Sequence, residues 1–188
     1  MKARDNPFAS HRIEALAYRF TADDDWDKLL GRLEATAWRG AIVGPHGAGK
    51  TTVLAQLEPL LMARGYKPRR VTLRAPDHAS ERQEALASIA TMRAPDFLML
   101  DGAEMLTTRQ WLSLQSSAAV CAGCLITQHR TGRLSTVLTC EVTPALLDGL
   151  VHELCDAWLP DGEAQRLFSR HHGNLRECFG ELYDRWAG

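Results

Sequence analysis

The stretch Gly44-Pro45-His46-Gly47-Ala48-Gly49-Lys50-Thr51 constrains this chain more than any other. It matches G-x-x-x-x-G-K-[ST] without a mismatch. It follows a short apolar run, Ala41-Ile42-Val43, and precedes an amphipathic stretch from Thr52 to Arg64. Strand, glycine-rich turn and helix in that order make a phosphate-binding loop. Gly44, Gly47 and Gly49 let backbone N–H groups turn inward, because glycine accepts positive φ and carries no Cβ. The helix start adds unpaired N–H groups and the positive end of its dipole. Pro45, His46, Ala48 and Thr52 complete the lining. Lys50 is expected to reach the β- and γ-phosphates, and the Thr51 hydroxyl to ligate Mg²⁺.

The rest of the chain supplies an α/β frame for that loop. Ile13, Leu16, Ala17 and Phe20 have helical spacing, which predicts a helix over about residues 10–20. Asn6-Pro7-Phe8 could pin the first residues to the domain, with Phe8 as anchor. Asp23-Asp24-Asp25 reads as a cap for a helix whose apolar face is Trp26, Leu29, Leu30 and Leu33. Strands are predicted at Gly40–Val43, Arg69–Leu73, Phe97–Asp101, Cys124–Thr127 and Thr136–Val142. Capping boxes are predicted at Ser80–Gln83 and Thr107–Gln110. From Thr143 onward no strand is expected, and three helices carry the remaining apolar positions. The fold class is therefore α/β, a three-layer αβα arrangement with a mainly parallel sheet of about five strands and a small C-terminal helical unit. The divisions are an N-terminal segment packed on the core (1–36), the core (37–142) and the helical unit (143–188).

Composition narrows the partners. The chain has 188 residues and a formal net charge of −1, so no electrostatic footprint for nucleic acid is indicated. No run approaches the ~20 apolar residues of a membrane helix. The charged start, Met1 to Asn6, lacks the apolar segment of a signal peptide, which points to the cytoplasm. The five cysteines are an odd number, which argues against a disulfide framework. Cys121-Ala122-Gly123-Cys124 lacks the second pair a zinc site needs, so its cysteines are read as small buried apolar residues.

Around the loop a second set of residues can be assembled. Asp101 ends the most apolar strand, which delivers its carboxylate to the ligand edge of an open α/β sheet, within reach of Mg²⁺ beside Thr51. Glu104 lies three residues on, placed either to reach an attacking water or to complement a helix dipole. Thr127, then Gln128 and His129, end the next strand and border the same crevice. Arg130 and Arg133 follow, as solvated loop residues or as cations acting in cis or on a neighbouring subunit. Arg176 stands in the first turn of the last helix, where the dipole disfavours a cation and a ligand-facing role would explain the cost.

Together, the phosphate loop, the Phe97–Asp101 strand, the polar end at Thr127 and the helices with Gly173-Asn174-Leu175-Arg176 resemble an AAA-type P-loop ATPase of the additional-strand class. Asn6-Pro7-Phe8 before the first strand is similar to the secretion- and transposition-associated members and to small bacterial ATP-binding proteins. The resemblance implies that the loop is a Walker A motif, that the helical unit is a lid, and that a further strand lies between the two motif strands. It implies ATP and Mg²⁺ as ligands, with Lys50, Asp101, Glu104, Thr127 (sensor 1) and Arg176 (sensor 2) carrying hydrolysis. A homo-oligomer or a protein client would be the partner. Many such ATPases have glutamate directly after the metal-binding aspartate; here Gly102 stands there, which implies slow or partner-stimulated hydrolysis. The alternatives are a non-hydrolysing ATP-binding adaptor and a small-molecule kinase. No guanine motif is present, which favours ATP over GTP, and the adenine is expected between residues 16–20 and the lid.

Overall fold

The computed structural model describes residues 6–21, 23–73 and 79–187. The start of the charged N-terminal stretch, residues 1–5, lies outside them. In chain order the elements are α1 (Ser10–Glu14), α2 (Trp26–Ala35), β1 (Arg39–Val43), α3 (Lys50–Met62), β2 (Lys67–Thr72), α4 (Ala79–Ala90), β3 (Asp96–Asp101), a 3-10 turn (Ala103–Met105), α5 (Thr108–Ala118), β4 (Gly123–Gln128), β5 (Thr136–Thr139), α6 (Pro144–Cys155), α7 (Glu163–Arg170) and α8 (Leu175–Ala187). The five strands form one parallel sheet in the order β2-β3-β4-β1-β5.

Alternation along β3 builds both layers. Leu98 and Leu100 join Ile89 of α4 and Trp111 and Leu114 of α5 on one face. Phe97 and Met99 join Leu29 and Leu33 of α2 and Val53, Leu54 and Leu57 of α3 on the other. All four β3 side chains are fully buried, as a central parallel strand requires. Cys121 and Cys124 are buried in the α4–α5 layer as apolar filler. The edge strand β2 presents exposed Lys67, Arg69 and Arg70. Pro68 is tolerated there because an edge strand has one side without ladder bonds.

β4 lies between β1 and β3, so the loop strand and the Asp101 strand do not pair. The strand that intervenes in sequence, β2, lies at the edge instead. Asp25 caps α2 through Lys28 N, and Thr107 with Gln110 forms a complete capping box on α5. The capping box expected at Ser80 does not form at that position, because α4 is already under way at Ala79.

The predicted helix over 10–20 stops at Glu14. The chain then runs as a strap held by one side chain: Gln56 of α3 donates to Leu16 O at 3.1 Å and accepts from Tyr18 N at 2.9 Å. Those bonds take backbone groups that a continued helix would have used. The strap touches two units. Phe8 and Leu16 pack with Leu147, Leu150, Phe179 and Leu182 of the C-terminal helices, while Tyr18 and Phe20 pack against the α2–α3 layer. Asn6 fixes the start by donating to Tyr183 O at 2.9 Å.

The C-terminal helices carry an ion cluster that ties α7 to α8. Glu181 accepts from Arg170 at 2.5 Å, lies 2.6 Å from His171 Nε2 and pairs with Arg185. These contacts, His171 first, hold its carboxyl below the ordinary value of 4.5. A depressed folded pKa gives stabilisation that is present above the unfolded value and lost as pH falls through the folded one. The thermal midpoint of Glu181→Gln is therefore expected to lie below that of the wild type above pH 4.5, with the gap closing on acidification. Parallel thermal melts from pH 3 to about pH 7 check this; a gap independent of pH would contradict it.

Candidate functional site

The C-terminal ends of β3, β4 and β1, adjacent in the sheet, frame the site. β1 ends at Val43 and the loop 44–49 returns the chain into α3, which begins at Lys50. Gly44 N donates to Gln128 O at 3.2 Å, which fixes the loop's first residue to the end of β4. Ala48 is buried, Gly47 and Gly49 have φ of 73° and 79°, and Pro45 and His46 are exposed. Thr52 is half-buried behind them.

Lys50 is buried, and its Nζ donates to Gly44 O and Pro45 O, each at 2.7 Å. Burial pushes its ammonium below the ordinary lysine value, and the carboxylates of Glu104 and Asp101 partly offset this. An ammonium has three donors, so one remains beyond the two loop carbonyls. A desolvated cation with donors to spare fits an anion, which would offset its desolvation.

Asp101 joins three elements. Thr51 Oγ1 at the start of α3 donates to Oδ2 at 2.7 Å, and Thr127 Oγ1 on β4 donates to Oδ1 at 2.6 Å. Gly102 N in turn donates to Thr127 Oγ1 at 2.9 Å. The two residues expected to hold Mg²⁺ thus already face each other. One hydroxyl and one carboxylate fit Mg²⁺, which keeps several waters and takes substrate phosphate oxygens for the rest. Thr127 is fully buried and its hydroxyl proton is committed to Asp101. Beside it, Gln128 is buried and its Nε2 has no partner among the described residues.

Gly102 has φ of 87°, and a Cβ there would stand 2.7 Å from Leu73 O. The position next to the aspartate is therefore closed to any side chain by backbone. The carboxylate that does face the loop is Glu104, on the 3-10 turn. Its Oε2 is buried without a partner among the described residues, and its Oε1 lies 3.1 Å from His129 Nε2. Arg133 donates to Leu106 O at 2.5 Å and lies 5.1 Å over the Trp111 ring, so it is engaged within its own domain. Arg130 is exposed.

The C-terminal helices meet the loop at Gly47. A Cβ on Gly47 would lie 2.1 Å from Asn174 Oδ1 and 2.9 Å from Leu175 N. Arg176 follows in the first turn of α8, exposed, its N–H donating to Asn174 Oδ1 at 3.2 Å. Asn174 is the residue of this turn that lies against the loop. On the other side Tyr18 of the strap covers Gly49, its Cδ2 lying 3.3 Å from where a Cβ would be. Burial raises the Tyr18 phenol, and the neighbouring Cys140 pushes it in the same direction. Arg19 pairs with Glu153 of α6 at 2.5 Å. Sequence reading missed Asn174, Tyr18 and the His46–His129 ring contact, at 3.8 Å between centroids. Only Asn174 had a local signal, as part of the break before α8.

No protein-family model and no curated protein matches the sequence. Among solved structures, the chain is similar to the replication initiator DnaA bound to AMPPCP and single-stranded DNA, with a TM-score of 0.55 and 15% identity. The match covers 83% of this chain and 58% of that one, so this chain spans little more than half the length of its neighbour. At that identity the likeness is one of fold alone, a three-layer αβα domain of P-loop-like architecture. Among the described residues, no helix is long and apolar enough to cross a membrane.

Proposed function

We propose that the chain binds ATP with Mg²⁺ at the loop 44–51 and acts as a nucleotide-dependent switch, hydrolysing ATP slowly or when a partner stimulates it. The observation that carries this reading is the convergence of Lys50, Thr51, Asp101, Glu104 and Thr127 at the ends of three adjacent strands, β1, β3 and the β4 between them. A neighbour in fold that was solved with an ATP analogue adds support.

The roles follow from placement. The loop N–H groups and Lys50 hold the β- and γ-phosphates. Thr51 and Asp101 hold Mg²⁺, and Thr127 keeps the Asp101 carboxylate aimed. When bound, Mg²⁺ supplies neutralisation of phosphate charge. Glu104 takes the proton of the attacking water as the bond to the leaving diphosphate breaks. The units 1–36, 37–142 and 143–188 serve as strap, core and lid. Asn174 and Arg176 report nucleotide state to the lid, and the base lies between residues 16–20 and the lid. A cytoplasmic location and a homo-oligomer or protein client, with exposed Arg130 at the contact, complete the reading.

Strand order favours an ATPase over a small-molecule kinase, because the two motif strands are separated by β4. The test compares MgATP binding and turnover in the wild type and Glu104→Gln. The substitution is expected to keep binding and to lower turnover about 10²-fold, the lower end of a general base's contribution. Binding without turnover in the wild type would instead favour the adaptor. Turnover unchanged by the substitution would remove Glu104 from the chemistry.

A further inference from the structure

We propose that His129 is the positioning residue for Glu104: it holds one carboxylate oxygen so that the other is presented to the attacking water, and His46 on the phosphate loop sets the ring of His129. This rests on the reading of Glu104 as the base.

Three contiguous strands each deliver one member. Glu104 follows β3, His129 follows β4, and His46 lies in the loop after β1. His129 Nε2 stands 3.1 Å from Glu104 Oε1, within hydrogen-bonding distance. The second oxygen, Oε2, is buried and has no partner among the described residues. A buried carboxylate oxygen without a donor is costly, and the cost is met when a water or other donor sits there. Glutamate has three side-chain torsions and the turn that carries it is three residues long, so the backbone alone does not fix the carboxylate. The imidazole does. The ring is itself confined, with the His46 ring 3.8 Å away, centroid to centroid, at an interplanar angle of 62°. The loop that would receive the phosphates therefore abuts the group that aims the base.

The charges around His129 decide its form. Glu104 on the 3-10 turn and Asp101 on β3 favour the imidazolium; Lys50 on α3 and His46 on the loop oppose it. Desolvation is the largest influence and also opposes it, so the pKa lies below the ordinary 6.5. Arg133 also lies within electrostatic reach of Glu104. At neutral pH the ring is thus neutral. A neutral N–H orients Glu104 without forming an ion pair. On acidification the imidazolium forms, pairs with Glu104 and weakens it as a base. Turnover therefore falls on acidification, with a midpoint below the ordinary histidine value of 6.5.

The experiment measures MgATP affinity, kcat against pH, and His129 titration by NMR. The proteins are the wild type, His129→Ala, His129→Gln, His46→Ala and Glu104→Gln. His129→Ala is expected to lower kcat about 10-fold or more, as loss of a supporting hydrogen bond does, with MgATP affinity within about twofold. His129→Gln keeps an N–H donor but cannot titrate; it should restore most of the rate and lose the acid limb. His46→Ala should give a smaller loss and a raised His129 pKa. Wild-type kcat and an intact acid limb in His129→Ala, with Glu104→Gln inactive, would overturn this inference alone. Full activity of Glu104→Gln would overturn the base reading and this inference with it. The NMR arm needs no turnover: Glu104→Gln is expected to lower the His129 pKa, and an unchanged titration would disprove the pairing.

Discussion

Lys50→Met is expected to weaken MgATP binding about 10²–10⁴-fold and to abolish measurable turnover while leaving the thermal midpoint at or above that of the wild type. Hydrogen bonds to charged groups contribute about 1.5–3 kcal/mol each, and that range corresponds to two donors reaching phosphate, the one left free and one released from a loop carbonyl. The stability half of the expectation comes from burial. Lys50 is desolvated, and its charged form is disfavoured in the folded chain. A depressed folded pKa means that stability rises as pH rises toward the ordinary value of 10.5 and is diminished at neutral pH, where the unfolded lysine is fully charged. Methionine has a similar length and no charge to desolvate, so it removes the penalty along with the function. Tight residues at functional sites commonly trade stability for activity in this way. Calorimetric titration and a thermal melt on the same protein check both halves. A substitution that unfolds the chain while sparing affinity would assign Lys50 to the fold instead.

The second large effect concerns the residue beside Asp101. Restoring the glutamate that the family resemblance leads one to expect, by Gly102→Glu, is expected to damage the protein rather than quicken it. The φ of 87° costs an L-residue roughly 1–2 kcal/mol. The Cβ would also meet Leu73 O at 2.7 Å, and that oxygen belongs to a residue whose N–H is held by Asp101 O at 2.8 Å. Moving it disturbs the end of the β2–β3 ladder and the Gly102 N–H bond to Thr127, an overpacking cost of about 1–3 kcal/mol. The total, about 2–5 kcal/mol, corresponds to a fall in thermal midpoint of roughly 4–20 °C for a chain of this size. Gly102→Ala carries the same Cβ and should lose nearly as much, which separates backbone from charge. If Gly102→Glu were as stable as the wild type and more active, the assignment of the base to Glu104 would be wrong.

Where local chemistry decided structure, the sequence was readable. The apolar run 97–100 has one physical outcome, a strand buried on both faces, and the glycine-rich loop between strand and helix has another. Asp25 and Thr107–Gln110 formed the caps their spacing implied, and the break at 172–174 separated the last two helices as expected. Where one side chain reached across the chain, local signals failed. The pattern at residues 13–20 is helical, but Gln56 captures Leu16 and Tyr18 and holds the strap open. Ser80 has a cap's spacing, yet its helix begins earlier. At the site, the motif positions of Lys50, Thr51 and Asp101 were legible because their spacing within strand and loop fixes them. The commitment of Thr127 to Asp101, the closure of position 102 and the His46–His129 contact were not. Each depends on which strands are neighbours, and order along the chain does not contain that.

The central claim is that the loop and Asp101 form one nucleotide–metal site. Equilibrium titration of the wild type with ATP, with and without Mg²⁺, tests it most directly, with Asp101→Asn alongside. One site per chain is expected, with affinity that rises on adding Mg²⁺ and a Mg²⁺ effect that is largely lost in Asp101→Asn. Absence of saturable binding, or binding that responds to neither Mg²⁺ nor Asp101, would contradict it.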